Sequence, residues 1–202
     1  MIEIVNLECP GCGYPITMST RTCPQCGRAI VISSFSKMSG DWGSLAGKLA
    51  RFNDMKLRND PDNNELHITK AFCHMKLKLY DKAAAAFETA SDNDPLNDEL
   101  YYYRAVCLTN GKRPFVLNLS AIKSITQLID AALEIEEKGI YHFFKAYIMY
   151  DFYEKKGYNT PSDPRNEMAL ASSCGIAGGD ITEFWNMLYD TDSNNIPAFL
   201  KV

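Results

Sequence analysis

From residue 44 onward the apolar positions recur at helical spacing. Leu45, Leu49 and Phe52 predict a helix over Ser44 to Arg58. Beyond it the pattern repeats itself. Glu65-Leu66-His67-Ile68-Thr69-Lys70-Ala71-Phe72-Cys73 aligns with Glu99-Leu100-Tyr101-Tyr102-Tyr103-Arg104-Ala105-Val106-Cys107 after 34 residues, and Tyr141-His142-Phe143-Phe144-Lys145-Ala146-Tyr147-Ile148 follows after a further 41. Each copy carries a cation, an alanine and then two larger apolar residues. After the first copy comes a second helical stretch, Ala83 to Ala90 with Phe87 inside it, which ends at Asp94-Pro95. The 41-residue shift carries Phe87 onto Leu128 and Ala90 onto Ala131. Small residues let two antiparallel helices approach closely, the aromatic fills the gap, and the proline stops the second helix before the next begins.

A 34-residue period of this composition resembles the tetratricopeptide repeat, over roughly residues 60 to 177. The resemblance implies stacked α-hairpins that hold a partner protein. The first repeat, about Pro61 to Asp94, carries the pattern well. The second has no proline near Glu136 and takes seven extra residues around Gly111-Lys112-Arg113-Pro114. In the third, a first helix is expected over about Lys138 to Tyr153, a loop over Gly157 to Arg165 and a second helix over about Asn166 to Ala177. Asp180 is the expected N-cap of a last helix carrying Phe184, Trp185 and Leu188. Such a helix would cap the array.

The N-terminal segment is of another kind. Cys9-Pro10-Gly11-Cys12 recurs as Cys23-Pro24-Gln25-Cys26, each followed by a glycine, Gly13 or Gly27. A two-residue spacer lets both sulfurs of a Cys-x-x-Cys reach one ion, and the glycine permits the positive φ of a tight turn. Two such knuckles supply four sulfurs, the closed set of a structural zinc site. The ten residues between Cys12 and Cys23 allow a hairpin that brings the knuckles together, and Ile30, Val31 and Ile32 read as a β-strand. Iron bound in the same way, or a zinc-gated redox switch, would use the same ligands. The paired motif resembles the short zinc ribbons found at the ends of bacterial and archaeal proteins, which serve as adaptors or nucleic-acid contacts. The expected fold is therefore mainly α: an α-hairpin, tetratricopeptide-like repeat array with a small N-terminal β zinc ribbon. Its divisions are a ribbon over 1–35, a joining helix over 36–60, and repeats with a C-terminal capping helix over 61–202.

Stacked hairpins line an inner wall with the first helix of each repeat. With Ala71 set toward its partner helix, Met75, Ile68, Phe72 and Glu65 fall at about +40°, +60°, +100° and +120° around the helix, on one face. Ile68, Phe72 and Met75, with the repeat equivalents Tyr102, Val106, Phe143, Tyr147 and Tyr150, are thus the candidate partner-binding residues. They would make an apolar, aromatic groove for a peptide or helix unless the final helix covers it. The basic residues of chaperone adaptors that clamp a C-terminal carboxylate are missing. Lys70, Arg104 and Lys145 fall elsewhere, as surface cations.

Composition narrows the function. The chain has 202 residues, a net charge of −4, 46% apolar and 23% charged residues, which excludes a disordered or polyanion-coating protein. The ribbon segment balances Arg21 and Arg28 against Glu3 and Glu8, so nucleic-acid contact is the lesser expectation. No apolar run is long enough to span a bilayer and no export signal opens the chain, so a cytoplasmic location is expected. The three other cysteines, Cys73, Cys107 and Cys174, read as small apolar helix residues, and His67, His74 and His142 as packing residues. No phosphate loop, dinucleotide fingerprint or serine elbow is present. The resulting expectation is a non-enzymatic zinc-containing adaptor for a partner protein. A nucleic-acid-associated factor and a redox-responsive chaperone are the alternatives. Pairing of two copies through the final helix, where Trp185, Leu188 and Phe199 lie, stays open.

Overall fold

The structure is a computed structural model, and it describes residues 7–17, 19–38, 42–188 and 198–200. The chain divides into two compact units, residues 1–93 and 94–202. No described helix is long and apolar enough to cross a membrane.

The first unit begins with two turns built alike. β1 (Leu7–Glu8) pairs antiparallel with β2 (Pro15–Ile16) across the first cysteine knuckle, and Thr22 bridges Ala29 across the second. The hairpins therefore form around each knuckle rather than between them. The strand expected over Ile30 to Ile32 does not form. Ile30 and Ile32 are instead buried, at 1% and 0% exposure, and the chain leaves the ribbon to dock on the repeat. There the Thr69 hydroxyl accepts the Ile32 amide at 2.9 Å and donates to the Ile32 carbonyl at 3.3 Å. The Ile30 amide keeps one hairpin bond, to the Arg21 carbonyl at 2.7 Å, and beyond it apolar burial decides the path of these β-branched residues.

α1 (Gly43–Leu57) follows and buries Leu45, Leu49 and Phe52 against α2 (Asn64–Lys76). α2 starts where Asn63 caps it by accepting the Leu66 amide, and it packs on α3 (Tyr80–Asn93). Ala71, Ala83, Phe87 and Ala90 are fully buried between them, with Phe72 edge-on to Phe87 at 5.2 Å. The Thr69 link is the buried polar contact of the ribbon's attachment. Thr69→Val keeps the shape but orphans the buried Ile32 amide, a cost of about 1–3 kcal/mol. Thermal unfolding and hydrogen exchange at Ile32 measure it; an unshifted midpoint with Ile32 still protected refutes the link.

The second unit holds α4 (Asp98–Leu108) packed on α5 (Leu119–Ile135), and α6 (Gly139–Ile148) packed on α7 (Pro164–Ser173). α6 continues as a wider π-helical segment over Met149–Glu154. α8 (Gly178–Met187) closes the series. The chain thus shows the expected succession of helical hairpins, with the repeated alanines Ala71, Ala105 and Ala146 all at 0% exposure. Three local expectations are corrected. Ile129 and Ala132, both fully buried, stand where Leu128 and Ala131 were expected, because the insert around Pro114 shifts the register by one more residue. Pro164 opens α7, with Asp163 as its cap accepting the Arg165 amide, so the helix starts and ends earlier than expected; a proline at the first turn lacks only an amide that has no partner there. Asp180 is not the N-cap of α8 but its third residue, from where its carboxylate accepts the Ala177 amide at 3.2 Å.

Two of the three cations that repeat in register, Lys70 and Lys145, tie helices together. Lys70 on α2 binds Asp54 on α1 at 2.6 Å, and Lys145 on α6 binds Asp130 on α5 at 2.8 Å. Each ties the first helix of a hairpin to the helix before it.

Candidate metal centre

The two knuckles have the same backbone. In each, the first cysteine amide donates to a carbonyl five residues on (Cys9 to Tyr14, Cys23 to Arg28, both 2.8 Å), and the glycine amide returns to the first cysteine carbonyl (Gly13 to Cys9, Gly27 to Cys23, both 2.9 Å). Closing that turn needs a left-handed residue, and Gly13 and Gly27 supply it at φ +75° and +67°.

The result is four sulfurs in one place. Cys9 Sγ lies 3.8 Å from Cys26 Sγ and Cys12 Sγ 3.6 Å from Cys23 Sγ, and all four are within 4.8 Å of one another. A tetrahedral ion with thiolates at about 2.3 Å spaces its sulfurs about 3.8 Å apart, so the spacing suits a metal ion. Cys9 and Cys23 are buried while Cys12 and Cys26 face solvent, and the Gly11 amide points at Cys9 Sγ from 3.4 Å. Burial raises the Cys23 thiol, but the Cys26 and Gln25 amides and the facing thiols outweigh it and bring it down to about 7. At Cys12 the Tyr14 amide works downward, and burial with three facing thiols overrides it, pushing the thiol up to about 12. Four sulfurs this close do not all ionise without a cation among them.

The candidate partner-binding residues fall into two groups. Phe72, Met75, Tyr102, Val106, Phe143 and Tyr147 are buried, between 0% and 5% exposed, and are not presented to a ligand. In the second unit the cover is α8: Phe143 meets Phe184 and Trp185 at 5.5 and 5.6 Å, and Tyr147 meets Trp185 at 4.9 Å. Leu188 is buried too. Helical periodicity identifies a face, but it carries no information on whether a later helix lies across it. Ile68 and Tyr150 remain half-buried. Tyr150 stacks edge-on with Phe199 at 5.4 Å and lies under Lys155.

Ile68 lines an open cleft of about 370 Å³ in the first unit, between the ribbon and α2, floored by Val31, Ile32 and Ala29. Its rim carries Lys37 and the pair Arg21–Glu65, 2.7 Å apart. Sequence reasoning named Ile68 but missed the ribbon wall, because the Thr69 contact spans 37 residues of chain. Cys73 and Cys107 are buried as expected, and burial pushes the Cys73 thiol up to about 12. Cys174 differs: it sits half-buried at the end of α7.

No protein-family model matches the chain, and a search of curated proteins gives no match. Among solved structures, the chain is similar to MamA AMB-1 at a TM-score of 0.49 and 17% identity, over 66% of this chain and 67% of that one.

Proposed function

We propose that this protein is a non-enzymatic adaptor in which one zinc ion closes the four-cysteine ribbon and the helical-repeat surface holds a partner protein. The observation that carries the reading is the cleft at Ile68. The ribbon is fastened to α2, the first helix of the first hairpin, and the two together wall a space of about 370 Å³, the size of a small binding site. Its floor is apolar and its rim holds both signs of charge, which fits an extended segment of a protein with an apolar side chain inserted toward Ile68, Val31 and Ile32. All four donors are thiolates, leaving no open position for chemistry, so the ion's role is structural; metal analysis of the purified protein decides between zinc and iron.

The test is capture of the partner from native cell extract with a photo-crosslinker placed beside the cleft, at Val31. Ile68→Arg fills the cleft with a cation and is expected to reduce crosslinking at least about tenfold, the cost of some 1.4 kcal/mol or more. Because Ile68 is half-exposed, the melting temperature should stay within a few degrees. Unchanged crosslinking by the variant refutes the cleft as the docking site. Capture by an apolar cleft should also persist at raised salt, whereas nucleic-acid contact would fade steeply.

A further inference from the structure

We propose that Glu137, His142 and Cys174 form a second metal site, open on one side, in the C-terminal unit. It is distinct from the ribbon's four cysteines and takes a divalent ion of zinc's chemistry. A carboxylate oxygen of Glu137, a ring nitrogen of His142 and the Cys174 sulfur all lie within 4.8 Å of one another.

The histidine is the centre of the case. At the repeat-equivalent positions the ring or phenol is spent on the turn before its own helix: His67 Nε2 donates to the Pro61 carbonyl at 2.8 Å and the Tyr101 hydroxyl to the Pro95 carbonyl at 3.2 Å. The third copy has Glu136 where the others have proline, and its histidine is turned elsewhere. His142 Nδ1 donates to Glu167 Oε2 at 2.9 Å. Glu167 is itself buried, its other oxygen held by the Ser162 hydroxyl at 2.8 Å and faced by Lys145 at 3.7 Å. A neutral imidazole with its proton fixed on Nδ1 carries a lone pair on Nε2. That Nε2 is buried and has no hydrogen-bond partner, yet it lies 3.4 Å from Glu137 Oε1. Two ligands of one zinc, at about 2.0 to 2.1 Å from it, stand about 3.3 Å apart.

Backbone geometry brings the third donor in. The Cys174 amide closes α7 on the Leu170 carbonyl, and Gly175 then turns left-handed at φ +76°. The start of α6 packs hard against this end of α7: a Cβ on Gly139 would lie 2.5 Å from the Ala171 carbonyl and 2.8 Å from the Ile176 amide. The glycine allows the approach that sets Glu137 and His142 beside Cys174. A carboxylate, an imidazole and a thiolate make a donor set that suits zinc, with the fourth position left for water or a ligand. The Glu167 carboxylate behind the imidazole is the support that zinc-bound histidines commonly have. A thiol nucleophile served by His142 is the competing use of these groups. It requires a hydrogen bond between Nε2 and the sulfur, and Nε2 makes none.

The experiment measures zinc bound per chain after equilibration of the full-length protein with excess zinc and gel filtration. About two equivalents are expected for the wild type, and about one for Cys174→Ser and for Glu137→Gln. Neither substituted residue is buried, and unfolding midpoints without added zinc check that both variants fold. Glu167→Gln should weaken the second site by about 10- to 100-fold while leaving the first untouched. Zinc should also slow alkylation of Cys174. One equivalent in the wild type, or two retained in both variants, overturns the site. Alkylation of Cys174 that ignores zinc overturns it too, in favour of the thiol nucleophile.

Discussion

Replacing Cys23 by Ser is expected to unfold the ribbon while the helices of the second unit keep their protection. A segment of about 30 residues buries too little apolar surface to fold alone, and structural zinc in domains of this kind supplies an apparent 10–16 kcal/mol of folding free energy. Ile30 and Ile32 would then lose their place against α2, and the Thr69 hydroxyl its partner. Hydrogen exchange is the measurement: amides from Cys9 to Ile32 should exchange at the rate of an open chain. Metal analysis of the wild type separates zinc from iron. The serine variant is more informative than a chelator, because it leaves Glu137, His142 and Cys174 untouched. Persisting protection at Cys9, Gly13, Cys23 and Gly27 would mean that docking on α2, not the ion, holds the ribbon. Loss of crosslinking at the Ile68 cleft should accompany the unfolding, since one wall of the cleft is the ribbon.

Asp151→Ala should cost about 3–5 kcal/mol, the usual loss when one partner of a buried ion pair is removed. The Asp151 side chain is 2% exposed. It accepts Arg113 Nη2 at 2.5 Å and Nε at 3.2 Å, the Phe115 amide at 2.9 Å and Lys155 Nζ at 3.0 Å. One carboxylate thus ties the π-helical segment after α6 to the insert around Pro114. Its removal takes the carboxylate away from the Arg113 guanidinium, the Lys155 ammonium and the Phe115 amide. Asp151→Asn keeps an acceptor for the Phe115 amide and should cost less. The pH dependence has a definite sign. Burial raises the Asp151 carboxyl, but the Arg113 hydrogen bonds, the Phe115 amide and Lys155 outweigh it and hold it below its ordinary value. The folded state then favours the charged form. Its stabilisation is fully present from about pH 5 upward, above the unfolded value of about 3.9, and fades as pH falls through the folded value. Denaturant midpoints across that range should fall less steeply for Asp151→Asn. Identical acid limbs for the two proteins would show that Asp151 does not contribute.

The two predictions rest on features of unequal visibility in the sequence. The cysteine knuckles were legible because their chemistry is local: a two-residue spacer and a following glycine fix the turn, whatever surrounds it. The helices were legible for a similar reason, since a repeat forces the same helix pair to recur, and the alanines at 71, 105 and 146 each sit at the crossing. Asp151 was not legible. A lone aspartate in Tyr150-Asp151-Phe152 gives no sign that it is buried; Lys155 is a helical neighbour, but Arg113 and Phe115 lie 38 and 36 residues back in an insert the repeat does not contain. The sequence shows the aromatic face but leaves open whether the final helix covers it; Phe184 and Trp185, on a helix some 40 residues further on, do so at Phe143 and Tyr147. The repeat analogy makes His142 a packing residue like His67; it is buried, but Glu136 stands where the other repeats have the proline acceptor, and its ring bonds Glu167 instead.

By itself the sequence determined the two architectures, the four sulfur donors and the near-complete order of helices. These follow from short-range rules: the reach of a thiol across two residues, the 3.6-residue period, and the punctuation of glycine and proline. Only the tertiary structure decided which surfaces remain open. It covered the aromatic stripe with α8, left Ile68 facing a cleft walled by the ribbon, and set Glu137, His142 and Cys174 together where α6 and α7 meet. Exposure and the meeting of side chains from distant helices depend on where each element packs, and burial is won by the best available apolar partner anywhere in the fold rather than by neighbours along the chain.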